Sequence, residues 1–316
     1  MHRGKLLPGL SGSLLVVLAV GCGDTSSVSQ DTGGDAAVEA AADALVPPDQ
    51  FGGDRPVSVF RVPNGYDPKK PAPLVVVLHG YGAGGFLQNA YFGLGTLADE
   101  KNFFLVAPEG TVDSKKNRFW NAVDTCCDFD GKKPDDVKYI TGLVDEIATY
   151  YAIDRKRVYL LGHSNGGAMS MRLACDVPEK FAAVVDLAGP FWSDPAACKP
   201  KTPIAFRHMH GTVDETVPYA GGAISVGGFS TPSARKIVDT FAALNGCAAS
   251  PTEAAAVDLE RSLAGAETKV LRFPSCKDGA DVELFSIEGG SHIPKDFDPV
   301  ALPRSIWAFF EAHPRP

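Results

Sequence analysis

The pentapeptide Gly162-His163-Ser164-Asn165-Gly166 constrains this chain more than any other stretch. It follows an apolar, β-type run, Val158-Tyr159-Leu160-Leu161, and opens a helix-compatible run over 167–175. A serine placed between a strand and a helix sits on a sharp turn, the nucleophile elbow. Its hydroxyl is a poor nucleophile unless it is held exposed beside a general base. Glycines on either side let the backbone and neighbouring strands approach where a Cβ would clash. The pentapeptide alone recurs by chance, but strand, elbow and helix together imply a serine hydrolase.

The rest of the chain alternates short β-like runs with helical stretches, the signature of an α/β fold with a mainly parallel sheet. Strands are predicted over 57–62, 74–78, 103–107, 158–161, 181–187, 203–209 and 282–287. Helices are predicted over 137–151, where Ile140, Val144, Ile147 and Tyr151 share a face, and over 233–244 and 299–312. The sequence shows no internal repeat and no second domain boundary, so 51–316 reads as one catalytic domain. The stretch 110–136 has the least periodicity and is expected to fold over the active site.

The first 22 residues have a different character. Arg3 and Lys5 precede a short apolar run over 14–20 and the segment Leu18-Ala19-Val20-Gly21-Cys22. A run this short reads as a signal-peptide core rather than a membrane span. The ending resembles a bacterial lipobox, which would make Cys22 the lipidated first residue of the mature chain. Ala19 stands where that pattern usually has Leu or Val, and ordinary signal-peptidase cleavage is the alternative. Residues 23–50 carry no Lys or Arg, and their six acids supply most of the net charge of −8. Such a segment cannot bury enough apolar surface to fold and reads as a tether. The expected place is the cell envelope or the exterior, with any membrane contact through the lipid alone. The folded part has no basic stripe, which argues against nucleic acid.

Six further cysteines, Cys126, Cys127, Cys175, Cys198, Cys247 and Cys276, suggest disulfides in an exported chain. None has metal-site spacing, and neither a metal nor an organic cofactor is expected. A bridge between adjacent Cys126 and Cys127 would distort the peptide between them, so two different partners are expected. Cys247 and Cys276 would close a loop of about thirty residues, worth roughly 3–4 kcal/mol in the chain-entropy model.

After an elbow serine the acid comes next and the histidine last. His292 follows Glu288-Gly289-Gly290-Ser291, a flexible loop beyond the strand 282–287, where a base can meet Ser164. His208 and His210, at a strand end, read as structural, and His313 as a tail residue. Asp214 lies on the loop after 203–209 and is the candidate acid, with Glu215 and Asp186 as rivals. The expected oxyanion donors are the N–H of Asn165 and, from the loop His79-Gly80-Tyr81-Gly82-Ala83-Gly84-Gly85, the N–H of Tyr81. Losing one such donor costs about 3 kcal/mol. That glycine-rich run lacks the Lys-Ser/Thr ending of a phosphate loop. His79 and His163 are expected to brace these loops. Trp120 is a candidate for stacking on an aromatic acyl group or a sugar face, with core packing as the alternative.

These residues, with Arg118-Phe119-Trp120-Asn121, Cys126-Cys127, Pro108-Glu109-Gly110, Asn245-Gly246-Cys247 and Ile306-Trp307, resemble the polyhydroxybutyrate depolymerase and feruloyl esterase group of α/β-hydrolases, grouped with the family-one carbohydrate esterases. The resemblance runs from about residue 55 to the C-terminus. It implies Ser164 as nucleophile, Asp214 as acid and His292 as base. It also implies a Cys247–Cys276 bridge and one from the Cys126/Cys127 pair to Cys175. In the histidine loop, Ser291 replaces a usual glycine, and Ile293-Pro294 stands in place of Trp-Pro. The implied activity is ester hydrolysis through an acyl-enzyme, on feruloyl or acetyl esters of plant polysaccharide, including polymer-derived oligomers. The alternatives are a polyhydroxyalkanoate depolymerase, a peptidase using the same three residues, and a non-catalytic binding protein on a hydrolase scaffold.

Overall fold

A nine-stranded sheet forms the centre of residues 45–316, which a computed structural model describes. The signal segment, Cys22 and most of the 23–50 tether lie outside the described residues. In chain order the strands are β1 (Val59–Arg61), β2 (Ala72–Leu78), β3 (Phe104–Ala107), β4 (Ile153–His163), β5 (Ala183–Leu187), β6 (Ala205–Gly211), β7 (Thr252–Val257), β8 (Thr268–Phe273) and β9 (Val282–Ile287). Their spatial order is β1-β3-β2-β4-β5-β6-β9-β8-β7. The six central strands, β3 to β9, pair in parallel, and antiparallel strands finish both edges.

β2 is buried along its whole length because parallel strands are covered on both faces. Helices α3 (Asp136–Tyr150), α4 (Asn165–Asp176) and α5 (Ala234–Leu244) pack on one face, where Leu74, Val76, Leu160, Val184 and Phe206 meet Ile140, Met169 and Phe241. Helices α1 (Gly85–Phe92), α2 (Leu94–Lys101) and α6 (Ala301–Ala312) cover the other, where Val75, Val77, Leu161 and Val185 meet Phe92, Leu97 and Phe310. The side chains of Asp135 and Ser233 cap α3 and α5 by accepting from the Lys138 and Lys236 N–H groups.

Two pairs of elements were not expected from the sequence. α1 and α2 break at Gly93, whose φ of 68° ends one helix and starts the next. α1 turns Phe86 and Leu87 outward and Gln88 inward, so it lacks the usual apolar stripe. β7 and β8 form an edge ribbon whose outermost strand, Thr252–Val257, is largely exposed.

The cysteines pair as Cys126–Cys127, Cys175–Cys198 and Cys247–Cys276. This corrects the expected link from Cys126/Cys127 to Cys175. Cys175 lies in the last turn of α4, where the turn at Pro195–Ala197 brings Cys198 to a Cα separation of 5.1 Å. Cys126 and Cys127, joined by a cis peptide, bridge each other and pack with Phe119 and Tyr81. Cys247 and Cys276, 29 positions apart, tie the end of α5 to the turn between β8 and β9. Replacing both with serine is expected to lower unfolding stability by about 3–4 kcal/mol in urea titrations. A loss below about 1 kcal/mol would mean that the bridge constrains the unfolded chain little.

Candidate active site

Ser164 occupies the turn between β4 and α4 with φ 55° and ψ −120°, a conformation costing about 1–3 kcal/mol. The surroundings hold it there: its N–H donates to the Leu187 carbonyl at 2.8 Å, and its carbonyl accepts from the Ala168 N–H at 2.9 Å. A Cβ on Gly162 would strike the Gly166 carbonyl, and one on Gly166 would strike the Leu78 carbonyl. The two glycines therefore let α4 begin directly above β2 and β4. This arrangement lifts the Ser164 hydroxyl out of the sheet.

The loops after β6 and β9 meet at that hydroxyl. His292 Nε2 lies 2.9 Å from Ser164 Oγ, and His292 Nδ1 lies 2.7 Å from Asp214 Oδ2. Asp214 Oδ1 accepts from the N–H groups of Thr216 and Val217, both at 2.8 Å, which fixes the carboxylate plane. Burial alone would raise the Asp214 carboxyl, but hydrogen bonds from His210 and His292 outweigh it and hold the group well below the usual carboxylate range. Of the rival acids, Glu215 is exposed and Asp186 lies behind the site against His208. His163 places Nε2 3.0 Å from the His292 carbonyl and so braces that loop. Burial, reinforced by the nearby His292, pushes the His163 imidazole down to about 3, which keeps it neutral.

The glycine-rich loop after β2 runs beside the serine. A Cβ on Gly80 would lie 3.4 Å from Ser164 Cβ. Gln88 Oε1 accepts from the Gly80 N–H at 3.2 Å, and the Tyr81 hydroxyl donates to Asp113 Oδ2 at 2.6 Å. Among the described residues, the N–H groups of Tyr81 and Asn165 have no acceptor. His79 Nε2 accepts from the Gly110 N–H at 2.9 Å, bracing this loop as expected.

Trp120 is not a cavity residue, which corrects its candidacy as a stacking platform. It is fully buried, and its Nε1–H donates to the His79 carbonyl at 3.0 Å. Its backbone exchanges two hydrogen bonds with the Asn165 amide, at 2.7 and 2.9 Å, so it clamps the start of α4. Packing wins because the ring fills the space between His79 and Tyr139.

A cavity of about 360 Å³ opens over Ser164 and His292. Its walls are Ala83, Leu87, Tyr91, Val217, Ile224, Val226, Ile293 and the Cys126–Cys127 pair, with no Asp, Glu, Lys or Arg among its described lining residues. Cys126 and Cys127 bring the 110–136 excursion onto the site, as expected. Leu87, Ile224 and Val226 could not be read from the sequence. Leu87 points outward from α1, and the other two lie in a glycine-rich segment without periodicity. Among the described residues, no group of three or more His, Cys, Asp or Glu could hold a metal ion.

Comparisons with known proteins identify the family and the fold. The NocK protein of Nocardia uniformis subsp. tsuyamanensis is 32% identical over 164 residues, covering 52% of this chain; the match spans 46% of that protein's own length. Feruloyl esterase D of Neurospora crassa is 27% identical over 267 residues, 79% of each chain. The solved acetyl xylan esterase from Aspergillus awamori superposes with a TM-score of 0.58 over 82% of this chain and 94% of that one, at 14% identity, a likeness of fold. The family profile described as phospholipase/carboxylesterase matches residues 61–239, more than half of the chain. The chain belongs to the phospholipase/carboxylesterase family, a family of carboxylic ester hydrolases on the α/β-hydrolase fold.

Proposed function

We propose that the protein is an exported serine esterase in which Ser164, His292 and Asp214 carry the reaction and feruloyl esters of plant polysaccharide are the substrates. The observation that carries this reading is the unbroken hydrogen-bond line from Asp214 through His292 to Ser164 at the floor of an apolar cavity. His292 Nε2 takes the Ser164 proton as Oγ attacks the ester carbonyl. The N–H groups of Tyr81 and Asn165 receive the developing oxyanion. The alcohol leaves with the proton from His292, and water activated by the same imidazole then releases the acid.

The uncharged walls favour an aromatic acyl group, which would fill the cavity, over acetyl, which would leave it largely empty. Relatives named feruloyl esterase, from Neurospora crassa and Emericella nidulans, align over about four-fifths of the chain and support the same choice. The disulfides support an oxidising compartment.

The test compares ferulate, acetate and 3-hydroxybutyrate release from methyl ferulate, acetylated xylan and hydroxybutyrate oligomers, with a peptide panel and fluorophosphonate labelling alongside. Ferulate release and a Ser164-dependent adduct are expected. Absence of the adduct at neutral pH overturns the enzymatic reading. If methyl ferulate is inert, the substrate assignment fails, whether or not acetylated xylan is cleaved.

A further inference from the structure

Behind Asp214 lies a second line of buried polar groups that the proposed mechanism does not use. Asp186 on β5 and His208 on β6 stand opposite each other in register, and His210 is two residues further along the same face of β6. All three are at most 1% exposed. Asp186 Oδ1 accepts from the Gly189 N–H at 3.0 Å, and Oδ2 contacts His208 Nδ1. His208 Nε2 lies 2.9 Å from His210 Nδ1. His210 Nε2 meets two oxygens, the Val217 carbonyl at 2.8 Å and Asp214 Oδ2 at 3.2 Å. A Cβ on Gly167 or Gly189 would strike Asp186 Oδ1, so both positions leave room for the carboxylate.

Counting protons fixes the net charge of this line. A carbonyl and an ionised carboxylate only accept, so His210 Nε2 must carry a hydrogen. Nδ1 of a neutral His210 then presents a lone pair, which His208 Nε2–H must fill. His208 Nδ1 either donates to the Asp186 carboxylate or accepts from its acid form. These arrangements, and the one in which an imidazolium His210 donates from Nδ1 to His208 Nε2, all place three protons on three contacts and leave Asp186, His208 and His210 together uncharged. A fully buried line can tolerate that balance, whereas an unpaired charge there would be expensive. The other titratable groups facing His210 are Asp214, His163 and Tyr219, while Phe206 stacks on His208.

We infer that Asp186, His208 and His210 form a proton-loaded string whose terminal His210 Nε2–H positions Asp214 for His292. The inference rests on the proposed roles of Ser164, His292 and Asp214. Asp214 Oδ2 takes one hydrogen bond from His292 and lies 3.2 Å from His210 Nε2, whose hydrogen is shared with the Val217 carbonyl, and Oδ1 takes two from the backbone. The string thus completes the carboxylate's shell without adding net charge beside it. His208 and His210 are positioning residues, because neither reaches Ser164 or the cavity.

Two measurements test it. Long-range ¹H–¹⁵N spectra of the wild-type chain, with the His210 ring assigned by its loss in His210→Gln, are expected to show hydrogen on Nε2 of His210. An unprotonated His210 Nε2 overturns the proposal. Kinetics then compare His210→Phe, which keeps a ring but no donor, with His210→Gln, whose amide nitrogen can replace Nε2. Per fluorophosphonate-titrated site, His210→Phe is expected to lose about 10- to 100-fold in kcat, the scale of a misplaced catalytic group, with KM within twofold. His210→Gln is expected to recover most of the loss. Unchanged kcat in His210→Phe, or no recovery in His210→Gln, overturns the proposal; a merely structural role would lower only the number of titrated sites. If His210→Phe does not fold, the spectra and His210→Gln decide. Failure of the esterase reading would show separately, as a wild-type protein that forms no Ser164 adduct.

Discussion

Replacing Ser164 with alanine is expected to lower kcat for the best ester by about 10⁵- to 10⁶-fold, the scale seen when an activated serine is removed. The hydroxyl is the only atom lost. Alanine keeps the Cβ, so the φ of 55° costs it about what it costs serine, and the Leu187 and Ala168 backbone bonds remain. The fold and the cavity should be preserved, with a melting temperature within a few degrees of wild type. The residual rate should still exceed the uncatalysed reaction, because the cavity and the Tyr81 and Asn165 N–H groups can still bind and polarise the ester. Purified Ser164→Ala protein, checked by thermal unfolding and then assayed at high enzyme concentration, gives the number. Activity above about 1% of wild type would place the nucleophile elsewhere, because no other group could recover that much.

The elbow was legible because its causes are local. An apolar run before it, glycines at 162 and 166 and a helical run after it all lie within twenty residues, and the steric need for both glycines is met by the Gly166 and Leu78 carbonyls. Asp214 and His292 were legible for another reason. Each follows a strand of a parallel sheet, and such a sheet delivers the loops after its strands to one edge. The string behind them was not legible, since Asp186 and His208 face each other only through the β5–β6 register. Reading His208 and His210 as hydrogen-bonded structural residues was accurate as far as it went; the pairing with Asp214 depends on tertiary geometry. The disulfide partners depend on where loops end, which separated Cys175 from Cys126 and Cys127. Trp120 shows the same limit, because nothing in its neighbourhood distinguishes a ring facing the cavity from one packed beneath it.

Asp214→Asn is expected to lower kcat by about 10⁴-fold with little change in KM, through the tautomer of His292 rather than through lost packing. The Thr216 and Val217 N–H groups donate to Oδ1, so an asparagine keeps its carbonyl oxygen there and turns its NH₂ toward His292 Nδ1. The imidazole must then present its Nδ1 lone pair to that amide and carry its proton on Nε2. Nε2–H pointing at Ser164 Oγ cannot accept the serine proton. The same NH₂ also meets His210 Nε2–H, an opposition of two donors that should cost stability. The carboxyl of Asp214 is held below its unfolded value, so its contribution to stability is present above about pH 4 and fades as pH falls toward the folded value. Urea unfolding of wild type and Asp214→Asn from pH 7 down to pH 3 should therefore show the stability gap between them narrowing below about pH 4. A gap that stays constant with pH would contradict the depressed carboxyl, and a variant retaining more than a tenth of wild-type kcat would contradict the tautomer argument.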